Sequence, residues 1–374
     1  VGSKLTVRQA ITWFVLYQIG SAYLVLPAAI TSVAKQDAWL SVPISLAFHL
    51  LLIPLYTSIV RQMKGRTFVA YLRNVFGPLG GTISIIFIFA FPFLECIMTL
   101  RNLGDFVTTS IMPETPYDAI YFIMLLAVYF AVRSGPVVIG RCAEILIFFL
   151  LALYLLVRIT LFSDADFKNI LPVLENGLKP VVLASINLFA FPYLEAVLFL
   201  FFAHHFPDPK KWKKSMIVSA LISGAMYFFM VMQIIAVISA GVVADLTFPT
   251  FFIDRTISIG EFLQRFEIIL AIVWFVTIFF RLALLLYVSA EGLAEAFRLR
   301  SMNSLFVPLI LMMLAMADFI WPNVSYIIEI NQIWPYYAMI FGIGFPIVLW
   351  SISKMKGPLE SINKQQDPGF KKMK

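Results

Sequence analysis

Ten long apolar runs, separated by short polar or basic links, make up most of the chain. Crossing a hydrocarbon core about 30 Å thick takes roughly 20 apolar residues at about 1.5 Å rise per residue. The pattern therefore predicts an all-α integral membrane protein with ten transmembrane helices. The first span runs from the capping box Thr6-Val7-Arg8-Gln9 to about Val33, and the second covers Trp39–Val60. The third, Leu79–Ser110, is long enough to tilt; Tyr117–Val132 and Val137–Phe162 are the fourth and fifth. Spans six to ten are Pro180–His205, Ser215–Val243, about Arg265–Phe297, Ser304–Ile320 and Ile333–Ser353. Ahead of the third span, Arg61–Pro78 is basic, with an apolar stripe at Phe68, Tyr71, Leu72, Val75 and Phe76. That spacing predicts a short amphipathic helix on the membrane surface.

Two spans are interrupted. In the sixth, Pro192 and Glu195 sit near the middle. Proline has no amide hydrogen and clashes with the preceding turn, so the helix should break there. The carbonyls freed around Asn187–Phe189 then need protein or a cavity beside them, because lipid offers no donors. In the first span Gly20-Ser21 reads either as close helix packing or as an unwound segment, and the second broken helix favours the unwound reading. Helices one and six are thus expected to be discontinuous, the arrangement of a transporter-type midplane site. The polar link Ser163–Lys179 divides a single transmembrane domain, 1–355, into five-helix halves at 1–165 and 166–355. Five plus five crossings fit an inverted repeat in which span one mirrors span six and span three mirrors span eight. Residues 356–374 are expected to be a mobile basic cytoplasmic tail.

Charge sets the orientation. With both termini cytoplasmic, of the 28 Lys and Arg residues only Lys35, Lys168, Lys179, Arg255 and Arg265 fall outside, and Arg101, Arg158 and Arg281 fall within spans. Such a bias is the positive-inside pattern, and it accounts for the net charge of +7 without a nucleic-acid partner. With 61% hydrophobic and 13% charged residues, the composition excludes a soluble domain. The first apolar segment is too long for a signal peptide and is expected to stay as a helix. The two cysteines, Cys96 and Cys142, lie at different depths and give no disulfide framework. No nucleophile elbow, phosphate loop or paired metal-ligand histidines occurs, so neither an enzyme nor a cofactor is expected. His49 reads as a packing residue, and His204-His205 lacks an evident third metal ligand.

Three charges stand near the same depth: Glu95, Glu195 and Arg281. A midplane charge costs from about 2.5 to above 10 kcal/mol unless paired or hydrated, so these groups should share the bundle interior. They form either a structural ion pair or a site with one protonatable Glu, and which Glu meets Arg281 is left open by the sequence. Arg101 and Arg158, nearer span ends, are expected to snorkel. The candidate ligand-binding set is Gly20, Ser21, Phe91, Glu95, Asn187, Phe189, Ala190, Phe191, Tyr193, Glu195, Arg281 and Tyr287. Half-helix N-termini favour a carboxylate and freed carbonyls an ammonium, which points to a zwitterionic amino acid between Gly20-Ser21 and Asn187–Tyr193. Arg281 also disfavours a sodium ion beside it.

The heptapeptides Phe89–Glu95 and Phe189–Glu195 are near twins, yet their spans cross in opposite directions, so they are not repeat mates. Together with Gln36-Asp37-Ala38-Trp39-Leu40-Ser41, Leu171-Pro172-Val173-Leu174 and Arg265-Phe266-Glu267, they carry a resemblance over about residues 4–353. The chain resembles the B subunit of endospore germinant receptors, the spore germination permease family. That family is similar to amino acid–polyamine–organocation transporters of LeuT-like fold. The resemblance implies a spore inner membrane protein that works with A and C subunits and binds a small germinant, often an amino acid. A proton-coupled amino acid transporter and a scaffold with a vestigial pocket are the competing readings.

Overall fold

A computed structural model describes residues 4–206, 208–255 and 266–356. The described residues form fourteen α-helices joined by short turns. The first span is two helices, α1 (Val7–Ile19) and α2 (Ala22–Ala34), started by the reciprocal capping box of Thr6 and Gln9. Between them Gly20 adopts φ +23°, ψ −136°, so the expected break is present. The chain then forms α3 (Ala38–Met63), α4 (Phe68–Ser110), α5 (Tyr117–Ser134) and α6 (Pro136–Thr160). The sixth span is α7 (Leu178–Leu188), a wide turn Phe189–Tyr193, and a tight helix Leu194–His205. Phe191, at φ −136° and ψ 108°, is the non-helical residue within it. Next come α8 (Pro209–Ile238), the short α9 (Ala240–Asp245) and α10 (Pro249–Arg255), and α11 (Phe266–Ala296). The chain continues as α12 (Asn303–Ala317), α13 (Tyr326–Met339), a wide turn Ile340–Gly344 and α14 (Phe345–Met355).

Eight helical stretches among the described residues are long and apolar enough to cross a membrane, and α12 is a shorter apolar helix. Several boundaries depart from the hydropathy pattern. The seventh span begins at Pro209 because the Asp208 side chain accepts the Lys210 amide (2.8 Å), which turns most of the basic loop into the first turns of α8. The tenth begins at Tyr326 and carries an irregular turn of its own. There a Cβ on Gly342 would lie 2.8 Å from the Leu194 carbonyl oxygen, so the glycine permits a close approach. The expected surface helix is the start of α4, separated from the rest by a kink at Gly77 (φ +80°). Its apolar stripe faces protein rather than lipid: Phe68, Tyr71, Leu72 and Val75 are buried, and Arg73 donates to the carbonyls of Glu295 and Ala296 at 2.7 Å. Arg265 at the expected start of the eighth span and the tail from residue 357 lie outside the described residues.

The core is built around the broken sixth span, where Leu194 to Ala203 are all buried. It packs on α1 through the stacked rings of Phe14 and Phe199, 3.8 Å apart, while α11 lies against α1 and α4. Large apolar side chains such as Leu51, Leu79, Phe122, Ile145 and Ile159 point outward, as a lipid-facing belt requires.

Candidate functional site: a buried guanidinium at two helix breaks

Arg281, on α11, is fully buried and binds both midplane carboxylates. Its Nη2 donates to Glu95 Oε2 on α4, and its Nη1 lies 2.8 Å from Glu195 Oε2 at the start of the tight helix. Nε donates to Thr99 Oγ1 (3.2 Å), one helical turn beyond Glu95, and Nη1 reaches the Tyr17 carbonyl at 3.5 Å. The rings of Tyr17 and Phe191 each lie 4.8 Å from the guanidinium carbon. The Tyr17 hydroxyl donates to Glu195 Oε2 at 2.9 Å. A planar fork of donors can serve two carboxylates at once, which a point charge cannot do as well.

The break in the first span makes room for this side chain. A Cβ on Gly20 would lie 2.7 Å from Arg281 Cδ and 2.9 Å from the Tyr17 carbonyl oxygen, in a backbone conformation that L side chains rarely adopt. The carbonyls freed by the break are shared among several donors. Tyr227 donates to those of Gln18 (2.7 Å) and Ile19 (3.1 Å), and Trp274 to that of Gly20 (3.1 Å); Thr250 donates to that of Tyr23 (2.8 Å), which Pro27, having no amide hydrogen, leaves free within α2. Arg281 thus meets part of the need at the break, and Tyr227 and Trp274, outside the candidate set, meet more of it. Tyr227, Trp274 and Thr250 carry no sequence signal, because a buried hydroxyl or indole is ordinary in any apolar helix. Tyr17 lies one helical turn ahead of Gly20-Ser21, a position that could have drawn notice.

Of the candidate residues, Gly20, Glu95, Phe191, Glu195 and Arg281 meet at one place. Ser21 is buried beside them, its hydroxyl without a hydrogen-bond partner among the described residues. The others turn elsewhere. Tyr193 stacks on His49 (4.9 Å) and Phe189 packs on Phe48, both on α3. Phe91 stacks between Trp334 and Phe341. Ala190 is buried and Asn187 half-buried at the end of α7. Tyr287 stacks on Phe202, about 9 Å along α11 from Arg281 at helical rise. A cavity of about 30 Å³ opens beside Glu95, bounded by Val25, Met98, Thr99, Asn102, Phe191, Trp321 and Trp334 among others. That is room for one or two water molecules, so a larger molecule enters only if the bundle parts.

The twin heptapeptides now have a shared role: each delivers one carboxylate to the same guanidinium. Their backbones differ, since α4 continues helical through Pro92 whereas the chain breaks at Phe191. Arg101 and Arg158 do not snorkel. Arg158 pairs with Asp254 on α10 at 3.0 Å, both buried. Arg101 pairs with Asp105 (3.1 Å) and Asp318 (3.6 Å), and Trp321 donates to Asp105 at 2.7 Å. The expectation overlooked that α10 and the turn after α12 bring acidic partners to these depths. Among the described residues no group of three His, Cys, Asp or Glu side chains stands in position to hold a metal.

The sequence profile of a family described as spore germination protein matches residues 4–323. Spore germination protein KB of Bacillus subtilis strain 168 is 27% identical over 360 residues, covering 95% of both chains. Spore germination proteins YndE and A2 of the same strain are 25% and 23% identical, each over at least 94% of this chain. Among solved structures, MHP1, a nucleobase-cation-symport-1 family transporter in a closed conformation with bromovinylhydantoin bound, is similar with a TM-score of 0.68 at 12% identity. The match covers 93% of this chain and 78% of MHP1. MhsT in complex with L-phenylalanine gives a TM-score of 0.68 at 13% identity, covering 95% of this chain and 90% of MhsT. The fold is therefore that of the LeuT-like transporters, in a multi-pass membrane protein.

Proposed function

This chain belongs to the spore germination protein family, and from that premise we propose that it is the membrane subunit of a germinant receptor that binds an amino acid germinant at the midplane. It acts by binding rather than catalysis, in the spore inner membrane, with A and C subunits as partners. The ten crossings form two inverted five-helix halves, 1–165 and 166–355, with both termini cytoplasmic.

The observation that carries this reading is Arg281, which ties Glu95 and Glu195 together where two broken helices meet. A zwitterion can enter such a site without changing its net charge. Its carboxylate replaces Glu195 on Arg281, and its ammonium meets Glu95 beside the small cavity. Displacing Glu195 frees the tight helix Leu194–His205, which converts occupancy into movement. The complex of MhsT with L-phenylalanine supports an amino acid as the class of ligand. Calorimetry of the purified chain against the common amino acids tests this. A saturable isotherm is expected, tightened by Glu195→Gln, which removes the competing carboxylate, and weakened by Glu95→Gln; no heat with any amino acid overturns the reading.

One observation favours a proton-coupled amino acid transporter as the second reading. Two carboxylates share one guanidinium, so one negative charge is left over for a proton to neutralise. Labelled amino acid uptake into proteoliposomes, driven by an inward proton gradient, separates a transporter from a sensor. If Glu95→Gln and Glu195→Gln both keep the parent's ligand response across about pH 5–8, the proton has no part in it.

A further inference from the structure

Beyond Glu95 and Thr99, the small cavity at the midplane is walled mostly by apolar side chains: Val25, Met98, Phe191, Trp321, Ile327 and Ile330. Two bordering residues depart from that pattern. Asn102 on α4 and Trp334 on α13 are both more than nine-tenths buried, at 8% and 7% exposure. Asn102 Oδ1 and Trp334 Nε1 have no hydrogen-bond partner among the described residues. A buried acceptor or donor left unpaired is costly, and each such case in a folded protein calls for a reason. Here one atom accepts and the other donates, and the same volume of about 30 Å³ adjoins both side chains. A water molecule can answer both at once. A ligand group that takes its place keeps affinity only if it reproduces both bonds.

Asn102 stands two helical turns along α4 from Glu95, about 10 Å at helical rise. An ammonium on Glu95, a short side chain and a hydrogen bond at each end cover that span. Resting on the midplane reading above, we propose that this cavity receives the ligand's side chain, and that the ligand is an amino acid whose short, neutral side chain ends in a group that both donates and accepts. A carboxamide and a hydroxyl share that chemistry. Asn102 accepts from the group and Trp334, its ring stacked on Phe91, donates to it. A charged side chain is disfavoured, because beyond Glu95, which the ammonium occupies, no charged residue among those described borders the cavity. An apolar side chain leaves both protein atoms unpaired, the condition under which a site built for hydrogen bonding rejects an analogue.

Calorimetry of the purified whole chain compares two pairs, asparagine with its isostere leucine and serine with alanine. At least one polar member should bind tenfold or more tighter than its apolar partner, about 1.4 kcal/mol, and the pair that discriminates identifies the group. Asn102→Leu removes the acceptor, and Trp334→Phe removes the donor while keeping a stacking ring; each should bring the ratio below threefold. Trp39→Phe is the control, since Trp39 Nε1 is also buried without a hydrogen-bond partner among the described residues but does not border the cavity. Its ratio should match the parent's. If Asn102→Leu does not fold, Asn102→Ala makes the same comparison. Equal binding within both pairs, parent-like discrimination in both cavity variants, an equal loss in the Trp39 control, or binding confined to charged or large aromatic amino acids overturns the subsite and leaves the midplane reading standing. No isotherm with any amino acid overturns both.

Discussion

Replacing Arg281 with methionine tests the centre of the site. Methionine fills much of the same volume but removes the cation that holds Glu95, Glu195 and the Tyr17 carbonyl. Breaking a buried ion pair from one side typically costs about 3–5 kcal/mol, because the other charge is left in a poorly solvating interior. Here one cation serves two carboxylates, so the expected loss lies at the upper part of that range. At about 1.4 kcal/mol per tenfold, the folded-to-unfolded ratio falls by roughly 10³-fold or more. Titration with sodium dodecyl sulfate, followed by tryptophan fluorescence, measures the unfolding free energy. Arg281→Lys keeps the charge but not the fork, and should fall between methionine and the parent. The decisive variant combines Arg281→Met with Glu95→Gln and Glu195→Gln. Removing every charge together leaves no orphan ion, so it should recover most of the loss. If Arg281→Met lies within about 0.5 kcal/mol of the parent, the range of an ordinary surface substitution, the cluster is not what joins these helices. A triple variant no more stable than the single one would show that the loss came from packing, not charge.

Three further outcomes follow from the same geometry. Gly20→Leu should remove amino acid binding in calorimetry while the helical circular dichroism stays, because the new side chain meets Arg281 and Tyr17 at the break; an unchanged isotherm places the ligand elsewhere. Arg158→Met leaves Asp254 buried and unpaired, and should cost about 3–5 kcal/mol and speed proteolysis around α10; equal cleavage rates would detach that pair from the docking of α10. Ligand affinity should be the same in sodium and choline buffers of equal ionic strength, since Arg281 already places a fixed cation at the break and like charges in a poorly solvated site repel. A Kd tightened tenfold by sodium, about 1.4 kcal/mol of coupling, contradicts that assignment.

What the sequence made legible follows from what each residue costs in a membrane. The breaks at Gly20 and Phe191 and the meeting of Glu95, Glu195 and Arg281 were visible because glycine, proline and buried charge are expensive there and need a reason. The donors that satisfy the carbonyls freed at the first break and at Pro27 were not visible. Tyr227, Trp274 and Thr250 look like any other buried side chain until the fold brings them to Gln18, Ile19, Gly20 and Tyr23. The same limit explains Arg158 and only part of Arg101, whose nearer partner, Asp105, stands one helical turn on in the sequence. A charge near a span end reads as reaching for water, and only the path of α10 and of the turn after α12 supplies Asp254 and Asp318.

The twin heptapeptides show where local sequence stops deciding structure. Phe89–Glu95 and Phe189–Glu195 differ at one position, Phe93 against Tyr193, yet one stretch stays helical and the other breaks. The proline is the same in both, so the difference comes from the surroundings. The first stretch lies inside the 43-residue helix α4, with regular turns on either side. At the second, Gly342 on the last span lets Leu194 approach closely, and Ser45 donates at 2.7 Å to the Ser185 carbonyl, which also accepts from the Phe189 amide, tying the end of α7 to α3. Proline makes a break inexpensive, and tertiary partners decide whether it happens. Both glutamates then reach Arg281 from different helices, one from within a continuous stretch of α4 and one from just after a break. On the exchange mechanism proposed above, Glu195 is the carboxylate that yields, because its release can be passed to the segment after the break, whereas Glu95 stands in continuous helix on both sides.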